Sequence, residues 1–341
     1  MKQKNNLKEI ARKLDVSIAT VSRVINNKPD VNPQTREKVL TYLKHAGYQP
    51  RIITSDLRMI GVVEQYDSST LSEHYFSGIL AGIDERVHAG GFHTVLLHAD
   101  AIEKEIRWPG ESKILSRLDG LIWSTPVFSA LFKDLIDSHG LPCVVINNLE
   151  SGVAMPFVES DNLTASQQAV EYVASLGHSK IGFIGGELSF TNFRDRYEGY
   201  KKGMGNAGLA VQADWVIDDM STVSRAGGRE AMHRLLGKGD FPTAVLACND
   251  PVALGLYQGA QERGVRISED LSIVSFDDFP IAPFLTPALT TFLQPLQKIG
   301  SAAVDLLLSM LDGTVPVNEP RRLSIGMTLI TRDSARPPRN A

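Results

Sequence analysis

Little in this sequence belongs to a secreted or membrane protein. Two cysteines, Cys143 and Cys248, are too few for a disulfide framework, and neither forms a CxxC pair. Each sits in or beside an apolar run, CVVI and VLAC, the setting of a small buried thiol. No apolar run approaches the roughly 18 residues of a membrane span. Lys2 and Lys4 lead into polar sequence instead of the apolar core of a signal peptide. The expected compartment is the cytoplasm, with no membrane partner. The eight histidines fall in no HExxH or other metal-ligand spacing, and there is no GxSxG elbow. IGG at 184–186 lacks the spacing of a dinucleotide fingerprint. The adjacent pair Asp277 and Asp278 fits ligand binding and capping better than acid–base catalysis. The chain is therefore read as a non-enzyme, with no catalytic residue, metal or cofactor.

What is present is unevenly charged. The 341 residues are 43% hydrophobic and 22% charged, ordinary values for a globular chain with a sizeable core. The net charge of −4 hides a division. Residues 1–58 carry seven Lys and five Arg against three Asp and two Glu, a net +7 that leaves −11 on the remainder. A compact basic end on an acidic body is the electrostatic footprint of a nucleic-acid headpiece, the bland alternative being a solvated basic tail. The pattern inside those residues favours the headpiece. Asn6 can cap a helix with Leu7, Ile10, Ala11 and Leu14 at helical spacing. Ser17 can cap a second, Ile18 to Ile25, with Val21, Val24 and Ile25 available for its inner side. Pro33 opens a third, on which Val39, Leu43 and Ala46 continue an apolar face until Gly47. Two short helices joined by a tight turn and braced by a third make a helix-turn-helix unit.

The second helix carries Thr20, Ser22, Arg23 and Asn26 on its polar side. Ser, Thr and Asn suit phosphate contacts, which position a helix without reading sequence. Arg23 can offer a bidentate fork to guanine, and Ile18 and Ala19 can press on thymine methyls. The stretch LKEIARKLDVSIATVSRVINNKPDVNPQTREKVLTYLKHAGYQP resembles the headpiece of the LacI/GalR family of transcription regulators. The resemblance implies a homodimer reading two half-sites of double-stranded operator DNA, with helix 2 in the major groove. It puts Ile18, Ala19 and Arg23 at base-reading positions. Ser17, Thr20, Ser22, Asn26 and Thr35 fall at backbone-contact positions.

In such regulators the following segment forms a hinge helix on DNA, and a leucine wedges into the minor groove. Counting from Pro50 places Leu57 there. The segment departs from the family pattern: Thr54 replaces a small Ala, Asp56 adds negative charge, and only Arg58 and Met59 separate Leu57 from the first core strand. Either Leu57 wedges with the headpiece close to the body, or the hinge is modified and Leu57 packs locally.

From residue 60 onward, apolar runs alternate with helix-length amphipathic stretches. Candidate strands are 60–63, 94–97, 120–123, 144–146, 181–185, 244–247 and 272–276. Their spacing is that of βαβ units, so the expected class is α/β, with parallel, doubly wound sheets. Two lobes meeting near Asp161 would place a cleft at the carboxyl ends of their strands, where open parallel sheets bind ligands. SLGHSKIGFIGG, RYEGY, PTAVLACNDPVALG, SEDLSIVSFDDFP and LTPALTTFLQP also resemble this family, and through it the periplasmic-binding-protein fold. The resemblance implies three crossings between lobes, near 161, near 291 and around 320. The domains are then 1–49 for the headpiece, 50–59 for a shortened hinge and 60–334 for the effector-binding and dimerisation body. Lobe 1 is expected over 60–160 and 292–320, and lobe 2 over 162–290 and 321–334.

Asp277, after a strand, is an ionised acceptor able to take two hydroxyl hydrogens, unless it caps a helix. Asn249 offers donor and acceptor, or caps the helix near Pro251. Arg196 brings a rigid fork suited to hydroxyls, carboxylates or phosphates, or forms a surface or inter-lobe salt bridge. All three match effector-contact positions of the resemblance. Tyr75 and Phe76 match its aromatic pair, which would cover a sugar ring or stack on a planar base, one of the two packing inward. Ser124 and Asn147 lie just past their strands at cleft positions, and Asp161 is read as structural. Residues 98–118 and 218–225 depart from the family pattern and receive no role. The C-terminus has no leucine heptad, which argues against a tetramer. The reading is a ligand-responsive repressor of a catabolic operon, answering to a sugar or sugar derivative. Its rivals are a purine-like co-repressor or a partner protein as effector, a solute-binding receptor, and an α/β enzyme with a DNA-binding appendage.

Overall fold

A computed structural model describes residues 7–25, 31–45, 57–64, 70–100, 102–103, 114–124, 128–147, 149–150, 152–220, 222–237 and 239–339. The chain divides into two compact units at Leu57/Arg58. The first holds three helices, α1 (Leu7–Leu14), α2 (Ile18–Ile25) and α3 (Pro33–His45). Ile10, Ala11, Leu14, Val21, Val24, Val39 and Leu43 form its core, each under a tenth exposed. All seven are among the residues that the helical spacing places inward; the other three, Ala46 and the side chains of Leu7 and Ile25, lie outside the described residues.

The second unit contains two six-stranded sheets. The first-lobe strands are β1 (Met59–Glu64), β2 (His93–His98), β3 (Gly120–Trp123), β4 (Cys143–Ile146), β5 (Phe157–Ser160) and β11 (Arg322–Ile325). They lie in the order β11-β5-β4-β3-β1-β2, all parallel. The second-lobe strands are β6 (Ile181–Gly186), β7 (Val216–Met220), β8 (Ala244–Ala247), β9 (Ser272–Asp277), β10 (Thr290–Leu293) and β12 (Thr328–Ile330). Their order is β12-β10-β9-β8-β6-β7, and only β12 runs antiparallel. Apolar clusters cover both faces of each sheet. Strands buried on both faces need apolar residues at every position, which is why the central ones read as unbroken runs.

The chain crosses between lobes between Ser160 and Asn162, between Leu293 and Leu296, and between Ile325 and Thr328. The second and third crossings come later than the sequence reading placed them. Thr290–Leu293 pairs with β9 in the second lobe. Arg322–Ile325 pairs with β5 in the first. Both strands are four residues long. The second is a mostly exposed edge without an apolar run, so periodicity carried no signal for it.

After the second crossing, helix α10 (Leu296–Leu311) packs on α4 (Thr70–Ala89) in the first lobe. Their backbones touch: a Cβ on Gly82 would lie 2.0 Å from the Gln297 carbonyl oxygen, and one on Gly300 2.2 Å from that of Ile79. Gly82→Ala should therefore push the helices apart and destabilise the body by about 1–3 kcal/mol. Calorimetry should register this as a melting temperature several degrees lower. Gly205→Ala, whose Cβ meets nothing within 4 Å, should leave it unchanged or slightly raised.

Candidate functional site: a DNA-binding headpiece and an inter-lobe effector cleft

In the headpiece, Asp15 takes a left-handed φ of 53°, and the Val16 N–H returns to the Ala11 carbonyl at 3.0 Å, forming the tight turn before α2. Ser17 caps α2: its Oγ accepts the Thr20 N–H at 2.9 Å and shares a 2.8 Å hydrogen bond with the Thr20 hydroxyl. Asn32 caps α3 through the Gln34 N–H at 2.9 Å, and Lys38 donates to the Leu14 carbonyl at 3.1 Å, tying α3 to α1. With Val21 and Val24 buried, Ile18, Ala19 and Arg23 stand exposed on the outer side of α2, while Thr20 and Thr35 are half-buried. The Ser22 side chain and Asn26 lie outside the described residues. So do residues 51–56, the segment that would carry Leu57 into a minor groove; Leu57 itself is 45% exposed.

In the first lobe, the cleft positions follow the carboxyl ends of β3 and β4. Ser124 is fully buried, and its hydroxyl has no partner among the described residues. Asn147 takes a left-handed φ of 59°, which Asn tolerates better than most residues. Its Oδ1 accepts the Ser160 N–H at 3.2 Å, and its Nδ2 donates to the Tyr75 phenol. Burial pushes the Tyr75 phenol up, against a smaller opposing effect of the Asn147 hydrogen bond. Tyr75 and Phe76 both pack half-buried on the first-lobe core, so neither is wholly inward.

In the second lobe, β9 ends on two successive residues with positive φ, Asp277 at 120° and Asp278 at 55°. Such backbone is costly and tends to persist at functional sites. Asp278 pairs with Arg332 at 2.7 Å. Asp277 accepts from Gln294 Nε2 at 2.6 Å and lies 3.7 Å from the Arg196 guanidinium. Arg196, on α7 (Thr191–Asn206), is itself 3% exposed. Its Nε donates to Asn162 Oδ1 at 2.8 Å, its Nη1 to the Cys248 carbonyl, and its plane stacks 4.5 Å over the Phe276 ring. It is a buried side chain of the second lobe, not a surface or inter-lobe bridge. Asn249 caps α9 (Asp250–Glu262), accepting the Val252 N–H at 2.9 Å. Asp161 likewise caps α6 (Asn162–Ser175) through the Thr164 N–H at 3.0 Å.

These groups form one polar chain across both lobes. Tyr75 and Asn147 connect through Ser160 to Gln294, whose Oε1 accepts the Ser160 hydroxyl at 2.7 Å, and Gln294 connects to Asp277 and Arg196. The lobes also meet at the Thr191 hydroxyl and Asn147 carbonyl, 3.4 Å apart, and at His74 and Phe279, whose rings stand edge to face at 5.7 Å. The sequence reading assigned no role to Ser160, Asn162, Asp250 or Gln294. Gln294 was visible only as the polar residue before the final proline of LTPALTTFLQP; its two partners are set by tertiary pairing.

Desolvation dominates the electrostatics. It pushes Asp250 up to about 7, helped by the neighbouring Asp277 charge and opposed by hydrogen bonds from the Phe279 N–H and the Thr291 hydroxyl. Desolvation likewise pushes Asp277 up to about 6, against Arg196 and Gln294, which favour the charged form. The native state thus keeps protons that the unfolded chain releases near pH 4, so this pair should make stability fall as pH rises from about 4 to about 7. Denaturant melts of the body should show stability falling across that window, and Asp250→Asn should reduce the fall, with Asp277 still contributing.

Comparison with known proteins agrees with this architecture. Residues 6–51 match the model of bacterial regulatory proteins of the lacI family, and residues 170–335 that of a periplasmic binding protein-like domain. The HTH-type transcriptional repressor PurR of Haemophilus influenzae is 30% identical over 97% of this chain and 98% of its own length. A solved transcriptional regulator CelR–cellobiose complex superposes with a TM-score of 0.71 at 26% identity, covering 97% of this chain and all of that one. A lac repressor dimer bound to operator and the anti-inducer ONPF shares the fold, with a TM-score of 0.77 at 24% identity over 97% and 99% of the two chains. No described helix is long and apolar enough to cross a membrane. The chain belongs to the lacI family of bacterial regulatory proteins, ligand-responsive transcription repressors that bind DNA and are not enzymes.

Proposed function

We propose that the protein is a homodimeric repressor acting in the cytoplasm on a pseudo-palindromic operator, with a neutral sugar or sugar derivative as its effector. The observation that carries the effector class is the charge of the cleft. Asp277 stands there with Asp250 buried close behind it, and the guanidinium beside it, Arg196, has its Nε and Nη1 already engaged by Asn162 and the Cys248 carbonyl. A polyol can donate hydroxyl hydrogens to Asp277 and accept from Asn147, whereas a phosphate or uronate would bring further negative charge to buried carboxylates. The Ser124 hydroxyl, buried and without a partner among the described residues, is a further hydrogen-bonding group for such a ligand. Tyr75 and Phe76 supply the aromatic wall. Asn249 acts through its cap, orienting the start of α9. The cellobiose of the CelR complex is a carbohydrate in a similar fold. Exposed Leu96 on edge strand β2, and Phe284, which is 79% exposed, give a second copy apolar surface to bury.

On the DNA side, Ile18, Ala19 and Arg23 read bases, while Ser17, Thr20, Ser22, Asn26 and Thr35 touch the backbone and Leu57 the operator centre. An effector that binds the operator-competent and incompetent states unequally changes operator affinity by the same factor.

The test is a thermal-shift panel of neutral sugars, sugar phosphates, uronates and purines. A neutral sugar at about a hundred times its Kd should add roughly 2.7 kcal/mol, a rise of a few degrees, and Asp277→Ala should abolish it. A response confined to purines would replace this reading with the co-repressor one. Arg23→Ala should weaken operator binding by about 1–3 kcal/mol in a titration, with the body's melting unmoved.

A further inference from the structure

One further connection between the lobes, built on charged groups, lies outside the chain from Tyr75 to Asp277. Arg322 stands on β11, the first-lobe edge strand, with its side chain 51% exposed. Its Nε donates to Glu159 on β5 of the same lobe, and its Nη2 donates to Asp195 on α7 of the other. Glu159 is fully buried, and its second carboxylate oxygen has no hydrogen-bond partner among the described residues. Asp195 directly precedes Arg196. Successive residues of a helix point about 100° apart, so α7 turns one side chain to Arg322 and the next to Asp277.

We propose that Arg322 is a positioning residue for the effector site: a latch that ties α7, and with it Arg196, to the first lobe, and whose hold is set by the charge on Glu159. The latch depends on the lobe geometry alone and not on which effector binds.

The physical case rests on the three charges. Arg322 and Asp195 attract across the lobe boundary whatever the state of Glu159. An ionised Glu159 adds repulsion of Asp195 across the same boundary and draws Arg322 back to its own lobe, whereas a protonated Glu159 does neither. Burial pushes the Glu159 carboxyl up to about 7, against the hydrogen bond and charge of Arg322; Asp195 adds to the rise and the Ser324 hydroxyl opposes it. The groups facing Glu159 are Arg322 and Ser324 from β11, Asp195 from α7, and the more distant Tyr75 from α4. Arg194 lies 3.8 Å from Asp195, and Arg321 and Glu150 line the adjoining groove. Lobe closure therefore takes up a proton at Glu159, and raising the pH loosens the latch.

The test measures the distance between spin labels on the full chain, one per lobe, at His88→Cys and Glu230→Cys, with excess unlabelled chain present. The native Cys143 and Cys248 are buried and leave labelling to these sites. In the parent protein the lobe–lobe distance should lengthen as pH rises from 5.5 to 8.5, with a midpoint near neutrality. Arg322→Ala should be long at every pH, Arg322→Lys should recover part of the closure, and Glu159→Gln should stay short with no step. Asp195→Asn, which removes only the far end of the latch, should lengthen the distance as Arg322→Ala does; it serves alone if the arginine variant does not fold. A parental distance and step in Arg322→Ala or Asp195→Asn would overturn the proposal, as would a step that survives in Glu159→Gln.

Discussion

The hydrogen bond between the Ser160 hydroxyl and Gln294 Oε1, 2.7 Å long and buried, joins two of the three strands that pass between the lobes. Backbone that leaves one sheet for another gives up its ladder partners at the point of crossing, and buried polar groups left unpaired cost about 1–3 kcal/mol each. Here the crossings satisfy one another. Ser160 takes its N–H to Asn147 and its hydroxyl to Gln294; its carbonyl accepts from Asn162 Nδ2 at 3.0 Å. Gln294, accepting at Oε1, donates from Nε2 to Asp277. The proposed effector cleft is thus built from the same side chains that make the crossings possible. A change in lobe angle cannot leave the site untouched.

The second constraint is the number of buried carboxylates relative to cations. Asp250, Asp277 and Glu159 are all held above their ordinary range by desolvation, and the arginines beside them are Arg196 and Arg322. Breaking a buried ion pair from one side is costly because the other charge is left without compensation. The arrangement is tolerable because protonation offers a less costly alternative near neutral pH; under the proposed function, a ligand with hydroxyl donors would in addition hydrogen-bond to Asp277. Stability of the empty protein and occupancy of the site are therefore linked through the same acidic groups.

How much of this could be read in advance divides along physical lines. The described part of the headpiece was legible: its core follows a 3.6-residue period, and Ser17 announces the helix that it caps. Six of the seven strands read from the sequence are interior and were legible because two-sided burial forces continuous apolar runs; the seventh, β2, is an edge strand whose apolar run is only partly buried. The short strands Phe157–Ser160, Val216–Met220, Thr290–Leu293, Arg322–Ile325 and Thr328–Ile330 were not, since several are edges or crossovers that mix polar and apolar residues. Asp277 and Arg196 were found through motif strings and do stand near each other, 3.7 Å apart. Asn249 was ambiguous between ligand contact and cap, and its side chain is engaged as a cap. Gln294 and Arg322 could not be found, because a single polar residue carries no period and its partners lie 134 and 163 residues away along the chain.

Helix α7 carries the consequences of both constraints. Its residues Asp195 and Arg196 contact Arg322 of the first lobe and Asp277 of the second, so a displacement of the helix changes both contacts at once; under the two proposals above, whatever strengthens one must then bias the other. The first lobe in turn is fastened where the chain from the headpiece enters it. The Met59 N–H donates to Asp119 Oδ2 at 2.6 Å, the Asp119 N–H returns to the Met59 carbonyl at 2.9 Å, and the Arg58 guanidinium stacks 3.7 Å over the Phe92 ring. Slack at that point would let lobe motion dissipate before it reached the linker. With Arg58 and Met59 held by these contacts, the chain entering the body is fastened to β1, and β1 is hydrogen-bonded to β3, which Ser124 directly follows.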